Sequence, residues 1–178
     1  AARLLLDNGA AVDRADKDGR TPLSIAKEEG HSSIVALLED HMYPLLAAAK
    51  AGNVDEMMRL LDDGAAIDQT KDDGATPLYI ACAQNQPLVV DRLLQAGARH
   101  ALATHDLGAT PLLIACSQGH VEIVRLLLEA NAAVDQARNN GVTPLSIAGY
   151  AKPHGRSAPP SSSRERPARW RQAGPRPP

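Results

Sequence analysis

Apolar residues recur along this chain in short clusters, each set off by turn-forming Gly, Asp or Asn. In GHVEIVRLLLEANAAVD, Ile123, Val124, Leu126, Leu127 and Leu128 form more than one stripe of a helix, which must therefore be covered on several sides. A shorter helix precedes it and starts at a Thr-Pro pair. Thr is a good N-cap, and Pro fits the first helical position, where the N–H it lacks would have no intrahelical partner. The pair predicts helix starts at 22, 77, 111 and 144. Gly30 and Gly119, nine residues after the Thr, end the short helix, because glycine takes the left-handed conformation at little cost. The longer helix ends at Gly64, at Gly97 or at Asn131, asparagine being the other residue that tolerates that conformation. Tight-turn signals follow at Asp18-Gly19, Asp73-Gly74 and Asn140-Gly141.

These elements repeat. Thr-Pro-Leu stands at 21–23, 76–78, 110–112 and 143–145, with Thr-to-Thr spacings of 55, 34 and 33. Helix pairs this short cannot bury their own apolar faces, whereas stacked pairs bury each other's in one continuous core. The pattern predicts an all-α solenoid. The spacing of 55 is the anomaly, and the stretch LLEDHMYPLLAAAKAGN accounts for it. Aligning Tyr43-Pro44-Leu45 with Thr-Pro-Leu puts Gly52 and Gly64 where the other units have their helix ends, with Thr76 following 33 residues on. Tyr43 thus begins a unit only 22 residues after Thr21, so about eleven residues, those of the helix-ending Gly-Ala and the protruding hairpin, are absent. The predicted organisation is a partial unit 1–13, units near 14–42, 43–68, 69–101 and 102–135, a partial unit 136–148, and a tail 149–178.

The repeating text KDGRTPLSIAKEEGHSSIVALL, DDGATPLYIACAQNQPLVVDRLLQAGA and LGATPLLIACSQGHVEIVRLLLEANAAVD resembles the ankyrin repeat over residues 1 to about 148. One departure is consistent. That family usually has His after Thr-Pro-Leu, and this chain has Ser24, Tyr79, Leu113 and Ser146 there, which weakens the side-chain hydrogen bonding that ties neighbouring hairpins together. The resemblance implies recognition of other proteins through the hairpin tips and the exposed side of the first helices, which form a concave surface. Carried onto this sequence, the tips are Lys17, Asp18 and Arg20, then Asp72, Asp73 and Ala75, then Asp106, Leu107 and Ala109, then Asn139, Asn140 and Val142, with Glu28 and Glu29, Ala83 and Gln84, and Ser117 and Gln118 from the first helices. The missing hairpin implies a gap between Arg20 and Asp72, with contacts concentrated over 69–142. Alternatively, Tyr43 to Asp68 is the starting unit of a second array.

Composition sharpens this picture. Only 2% of the 178 residues are aromatic and none is Phe, so the core consists of Leu, Ile, Val and Ala, which suits thin, closely packed helices better than a sheet sandwich. The net charge of −2 hides a division, since 149–178 carry seven cations against Glu165 alone, +6, and leave −8 on the rest. An acidic array lacks the clustered Lys and Arg of a phosphate-tracking surface, which argues against nucleic acid as its partner. No apolar run is long enough to span a bilayer. Two cysteines give no disulfide framework, so an intracellular compartment is expected, cytoplasmic before nuclear. The start, AARLLLDNGA, lacks Met and falls in mid-helix pattern, as in a piece of a longer product.

The chemistry-bearing residues all have structural explanations. Cys82 and Cys116 share one position of consecutive units, where a small buried residue is expected, and behave there as small hydrophobes. His31 and His120 follow a glycine at equivalent positions, which suits packing and capping at a helix start. His100 and His105 share one hairpin without the Cys partners of a structural zinc site. No nucleophile and base occupy a recognisable setting, and no glycine loop cradles a phosphate. No enzyme activity, cofactor or metal is expected of the array, though a catalytic domain of a larger chain could lie elsewhere. Leu107 tips a hairpin, ARHALATHDLGA, one residue longer than its neighbours, and has no core to enter; contact with a partner and simple exposure both remain open. The tail is rich in Pro and Arg and poor in aliphatic residues, with Trp170 between two arginines. A disordered linker, a basic segment for an acidic or proline-reading partner, and translation past the true frame all fit it.

Overall fold

A computed structural model describes residues 1–150; Gly149 and Tyr150, expected to open the tail, close the last helix instead, and the tail reading from 151 on, Trp170 included, lies outside the described residues. Ten helices run α1 (Ala2–Asp7), α2 (Pro22–Glu28), α3 (Ser32–Met42), α4 (Pro44–Ala51), α5 (Val54–Asp62), α6 (Pro77–Ala83), α7 (Pro87–Gln95), α8 (Pro111–Gln118), α9 (Val121–Glu129) and α10 (Pro144–Tyr150). The described residues contain no strand. The molecule is an all-α solenoid.

Local chemistry fixes the helix ends. The hydroxyl oxygens of Thr21, Thr76 and Thr110 accept the backbone N–H of Ser24, Tyr79 and Leu113 at 3.2, 3.1 and 3.3 Å, each with Pro at the next position. The turn out of the short helix is left-handed at Gly30, Gly52 and Gly119, and Asn85 takes the same role with φ +54°. His31 and His120 stand at the N-caps of α3 and α9, but neither side chain makes a capping hydrogen bond, contrary to expectation. Backbone bonds close those turns instead, from His31 N–H to the Ala26 carbonyl (2.9 Å) and from His120 N–H to the Ala115 carbonyl (3.0 Å).

From residue 43 onward the helices stack in two rows. The short helices α4, α6, α8 and α10 pack on one another in order, and α5, α7 and α9 form a second row against them. Between the rows lies one core, in which Leu45, Met57, Leu78, Leu93, Ile123 and Leu127 are fully buried. Burial of such side chains contributes roughly 1.5–3 kcal/mol each before the entropy of ordering is subtracted.

Residues 1–42 are built differently. Helix α2 packs on α3, and Leu6, Leu23, Ala26 and Leu38 form a separate, smaller core. A single residue joins α3 to α4: the Tyr43 N–H donates to the Glu39 carbonyl (2.9 Å), and its own carbonyl accepts from the Ala47 N–H (3.0 Å). Helix α4 touches α3 but makes no extended contact with α2, unlike α6, α8 and α10, each of which lies flat on the short helix before it. At the two ends of the array, Leu4, Leu5 and Leu145 stand 68%, 62% and 81% exposed.

Candidate interaction surface

Apart from the single-residue junction before α4, each connection between helix pairs closes on itself as a tight hairpin. The carbonyls of Arg20, Ala75 and Val142 accept from the N–H groups of Asp16, Lys71 and Arg138 at 2.9, 3.2 and 2.9 Å. The hairpin with the extra residue pairs Thr104 with Ala109 (3.1 Å), and its Gly108 N–H reaches back four residues to the Thr104 carbonyl, where Gly74 and Gly141 reach back three. Thr104 is buried, and its hydroxyl also accepts the Ala109 N–H, which holds the longer turn together.

Three of these hairpins interlock. The His105 N–H donates to the Asp73 carbonyl (2.8 Å), and His105 Nδ1 lies 3.2 Å from the Asp72 carbonyl. One step further, the Asn139 N–H donates to the Leu107 carbonyl (3.0 Å), and the Asn139 carboxamide donates to the Asp106 carbonyl (3.1 Å). Glycine is required beneath each contact: a Cβ on Gly74 would stand 2.7 Å from the His105 ring, and one on Gly108 would stand 2.4 Å from Asn139 Oδ1. Both glycines also have φ in the left-handed region, +82° and +65°. On the far side of the stack, Asp68 accepts the backbone and side chain of Arg99 (3.0 and 2.8 Å), and Gln136 donates to the Ala101 carbonyl.

The predicted contact residues divide accordingly. Asp72, Asp73, Asp106, Leu107 and Asn140 project at the tips, and Gln84 and Gln118 are exposed on the short helices. Asp73 and Asn140 use one side-chain oxygen each to accept the N–H of Ala75 and Val142. The Leu107 N–H and the Thr104 hydroxyl hold the Asp106 carboxyl below the usual carboxylate range, so it stays charged. Val142 is half-buried. Ala75 and Ala109 do not fit the prediction: they are 2% and 1% exposed, and their side chains are core. Asn139 is exposed, but its carboxamide is engaged in joining two tips. Lys17, Asp18 and Arg20 belong to the hairpin before α2, where Arg20 is held by Asp16 and Asp18 of the same turn. The Arg20 N–H bond also depresses the Asp16 carboxyl. Among the described residues that hairpin exchanges no hydrogen bond with another. His105, Thr104, Asp68 and Arg99 are not among the predicted contact residues; the one-residue extension of the hairpin that carries Arg99, Thr104 and His105 is the only sequence signal near those three, and Asp68 has none.

Between the tips, Tyr79 occupies the place after Thr-Pro-Leu and lies near Arg138, Asp106 and Asp73; burial pushes its hydroxyl pKa up. Burial likewise raises the Cys82 thiol, and to a lesser degree that of Cys116, so neither is activated as a nucleophile. Among the described residues no three His, Cys, Asp or Glu side chains gather as a metal site. No described helix is long and apolar enough to cross a membrane.

A family model described as ankyrin repeats in three copies matches residues 38–104 and again 89–154. The chain belongs to the ankyrin-repeat family. Among similar proteins, ankyrin repeat domain-containing protein 63 of Homo sapiens is 35% identical over 119 residues, which is 57% of this chain and 30% of that protein. A Danio rerio protein named "Putative palmitoyltransferase ZDHHC13" is 31% identical over 105 residues, 52% of this chain and 16% of that one. Ankyrin repeat protein nuc-2 of Neurospora crassa is 30% identical over 106 residues, 53% and 10% of the two chains. The aligned part of this ankyrin-repeat chain therefore spans less than a third of the length of each. Ankyrin repeats are in general protein-interaction modules and carry no chemistry of their own.

Proposed function

We propose that the stack from residue 43 onward recognises a partner protein through Asp72, Asp73, Asp106, Leu107 and Asn140 at the tips, with Gln84 and Gln118 beside them. The reading rests above all on the interlocked row of hairpins. Backbone hydrogen bonds from His105 and Asn139 hold successive tips in fixed register, so a partner meets a pre-organised surface and association loses little conformational entropy. The row is acidic at Asp72, Asp73 and Asp106, which suits a partner that is not nucleic acid. The array binds without chemistry, in a reducing intracellular compartment where Cys82 and Cys116 persist as thiols. A pull-down from cell extract, repeated with Asp72, Asp73, Asp106, Leu107 and Asn140 changed to Ala, tests it. Partners are lost while helix content is unchanged; retention of every partner overturns the assignment.

A second reading makes this array the targeting or regulatory module of a larger enzyme. It is motivated by the Danio rerio relative, whose name states an enzyme activity and of which the match covers 16%. Sequencing the full transcript on both sides of these residues tests that reading, which falls if no catalytic domain is encoded.

A further inference from the structure

The junction before α4 departs from the rest of the stack in kind. Six residues after the cap of each short helix, α4, α6 and α8 carry Ala49, Cys82 and Cys116, small residues against which the next short helix rests. At the same place α2 carries Lys27. Twelve residues further along, α5 and α7 carry Leu61 and Leu94, partly buried against the main core, and α3 carries Glu39. Two positions that elsewhere join neighbouring pairs by apolar contact are therefore charged here. Their charges are used. The Lys27 ammonium lies 3.6 Å from Glu39 and 3.6 Å from Asp72, the first tip beyond the junction, and Lys71 hydrogen-bonds Glu39. Lys50 of α4 faces Asp40 of α3 at 3.9 Å. Beside these pairs lies a cleft of about 320 Å³, lined by Ala26, Val35 and Ala36 from the first region and by Lys50 from the second. The two cores do not merge across it.

We propose that Met42–Pro44 is an ionic hinge: residues 1–42 are held against the stack mainly by the Lys27–Asp72 and Glu39–Lys71 pairs, and swing away from it when those charges are screened, while both regions stay folded. A one-residue connection between two helices gives the pivot, and only a few backbone angles at Tyr43 need change. Lys27 and Asp72 are 45% and 76% exposed, so salt reaches that pair freely, while Lys71 and Glu39, at 23% and 20%, are reached from one side. The screening length falls from about 10 Å at 0.1 M salt to about 3 Å at 1 M, shorter than the 3.6 Å separation of Lys27 from Asp72. Apolar stacking of the kind that joins α4, α6 and α8 does not weaken in this way. Closure would extend the row of tips with the Lys17–Arg20 hairpin, and opening would withdraw it. The hinge does not depend on what the tips bind.

Spin-label distances measure this directly. Cys82 and Cys116 are first replaced by Ala, which already holds the same place in α4, with the circular dichroism spectrum as the check on folding. One pair of labels at Glu28→Cys and Glu122→Cys spans the junction, and a control pair at Asp55→Cys and Glu122→Cys lies within the stack; all three sites are exposed. Between about 0.05 M and about 1 M salt the spanning distance lengthens and broadens while the control distance stays constant. Glu39→Gln, which removes the carboxylate shared by Lys27 and Lys71, gives the open distribution already at low salt. A spanning distance that ignores salt, or a Glu39→Gln chain as closed as the parent, overturns the hinge. So does a control pair that moves along with the spanning one.

Discussion

Residues 1–42 and residues 43–150 share one repeating text and are coupled to their surroundings in opposite ways. In the second region every short helix lies on the next, cores run together, and hairpins exchange hydrogen bonds. In the first, three helices close over four buried residues, and that core does not run on into the next. The difference comes from few residues. Lys27 stands where Cys82 and Cys116 stand elsewhere, Glu39 where Leu61 and Leu94 do, and the connection to α4 is one residue long. Apolar contact between units is what makes a solenoid cooperative. Here charges at two contact positions and a missing hairpin coincide with the break between the cores.

Core truncation tests that division with the largest effect. Leu127 and Leu38 hold equivalent places, and both are buried. Leu127→Ala costs about 3 kcal/mol, the middle of the range for such substitutions, and lowers the unfolding free energy of α6 through α9 together. Leu38→Ala, by contrast, unfolds α2 and α3 and leaves the later helices protected. Native-state hydrogen exchange resolves the two sets of amides. If Leu38→Ala reduces protection in α8 as much as in α2, the regions form one cooperative unit and the contrast is gone.

Glycines in the two sets of hairpins give a finer comparison. Gly19 and Gly74 have nearly the same φ, +80° and +82°, but a Cβ on Gly19 meets nothing within 4 Å, whereas one on Gly74 runs into the His105 ring. Gly19→Ala should cost about 1 kcal/mol, the left-handed strain alone. Gly74→Ala should cost roughly 2 kcal/mol, because it also pushes back the residue that ties two tips together. Thermal unfolding of the two variants reads the difference. Equal costs would mean that the tips are not interlocked in solution.

The position shared by Lys27 and Cys82 also separates the regions by pH. Burial raises the folded-state pKa of the Cys82 thiol, so the protonated form is favoured in the folded chain. The stability this provides is complete below the unfolded thiol's value of about 9 and is lost as pH rises above it, at about 1.4 kcal/mol per pH unit. Cys82→Ala flattens that slope, and no thiol contributes to it in α2. Urea midpoints at several pH values check this; a slope unchanged by Cys82→Ala would place the loss elsewhere.

The sequence shows the period, the Thr-Pro caps and the anomalous spacing, because each rests on local chemistry repeated at fixed intervals. It shows the interaction surface less well. Ala75 and Ala109 fall among the tips by their place beside the cap, where the first hairpin has the exposed Arg20; yet both, which precede Thr76 and Thr110, are core. The recurrence of Ala before the cap in two consecutive hairpins was the available sign of a buried site. Nothing local marks His105 or Asn139 as a link, because each bond joins residues about 33 positions apart and depends on how the pairs stack. The charge on Lys27 is plain in the sequence. Its meaning appears only when the six-after-cap position is seen to face the next helix.

Asn139 provides the smallest test and bears on what a tip residue is for. Its carboxamide donates to the Asp106 carbonyl while its own N–H donates to the Leu107 carbonyl, so it acts as a bracket between two hairpins and presents little to a partner. Asn139→Ala removes the side-chain half of that bracket and leaves the backbone half. The expected loss is about 1 kcal/mol, or some fivefold in hydrogen-exchange protection of the Asn139 amide, with the unfolding midpoint scarcely moved. Asn140, whose side chain only accepts from Val142 in its own turn, joins nothing across hairpins. Asn140→Ala therefore leaves the exchange of residue 139 unchanged. The first region has no counterpart to this bracket, because no hairpin follows Arg20 before α4 begins. If Asn139→Ala leaves exchange untouched, the tips are held in register by their backbones alone, and the stack's order at the tips owes nothing to this side chain.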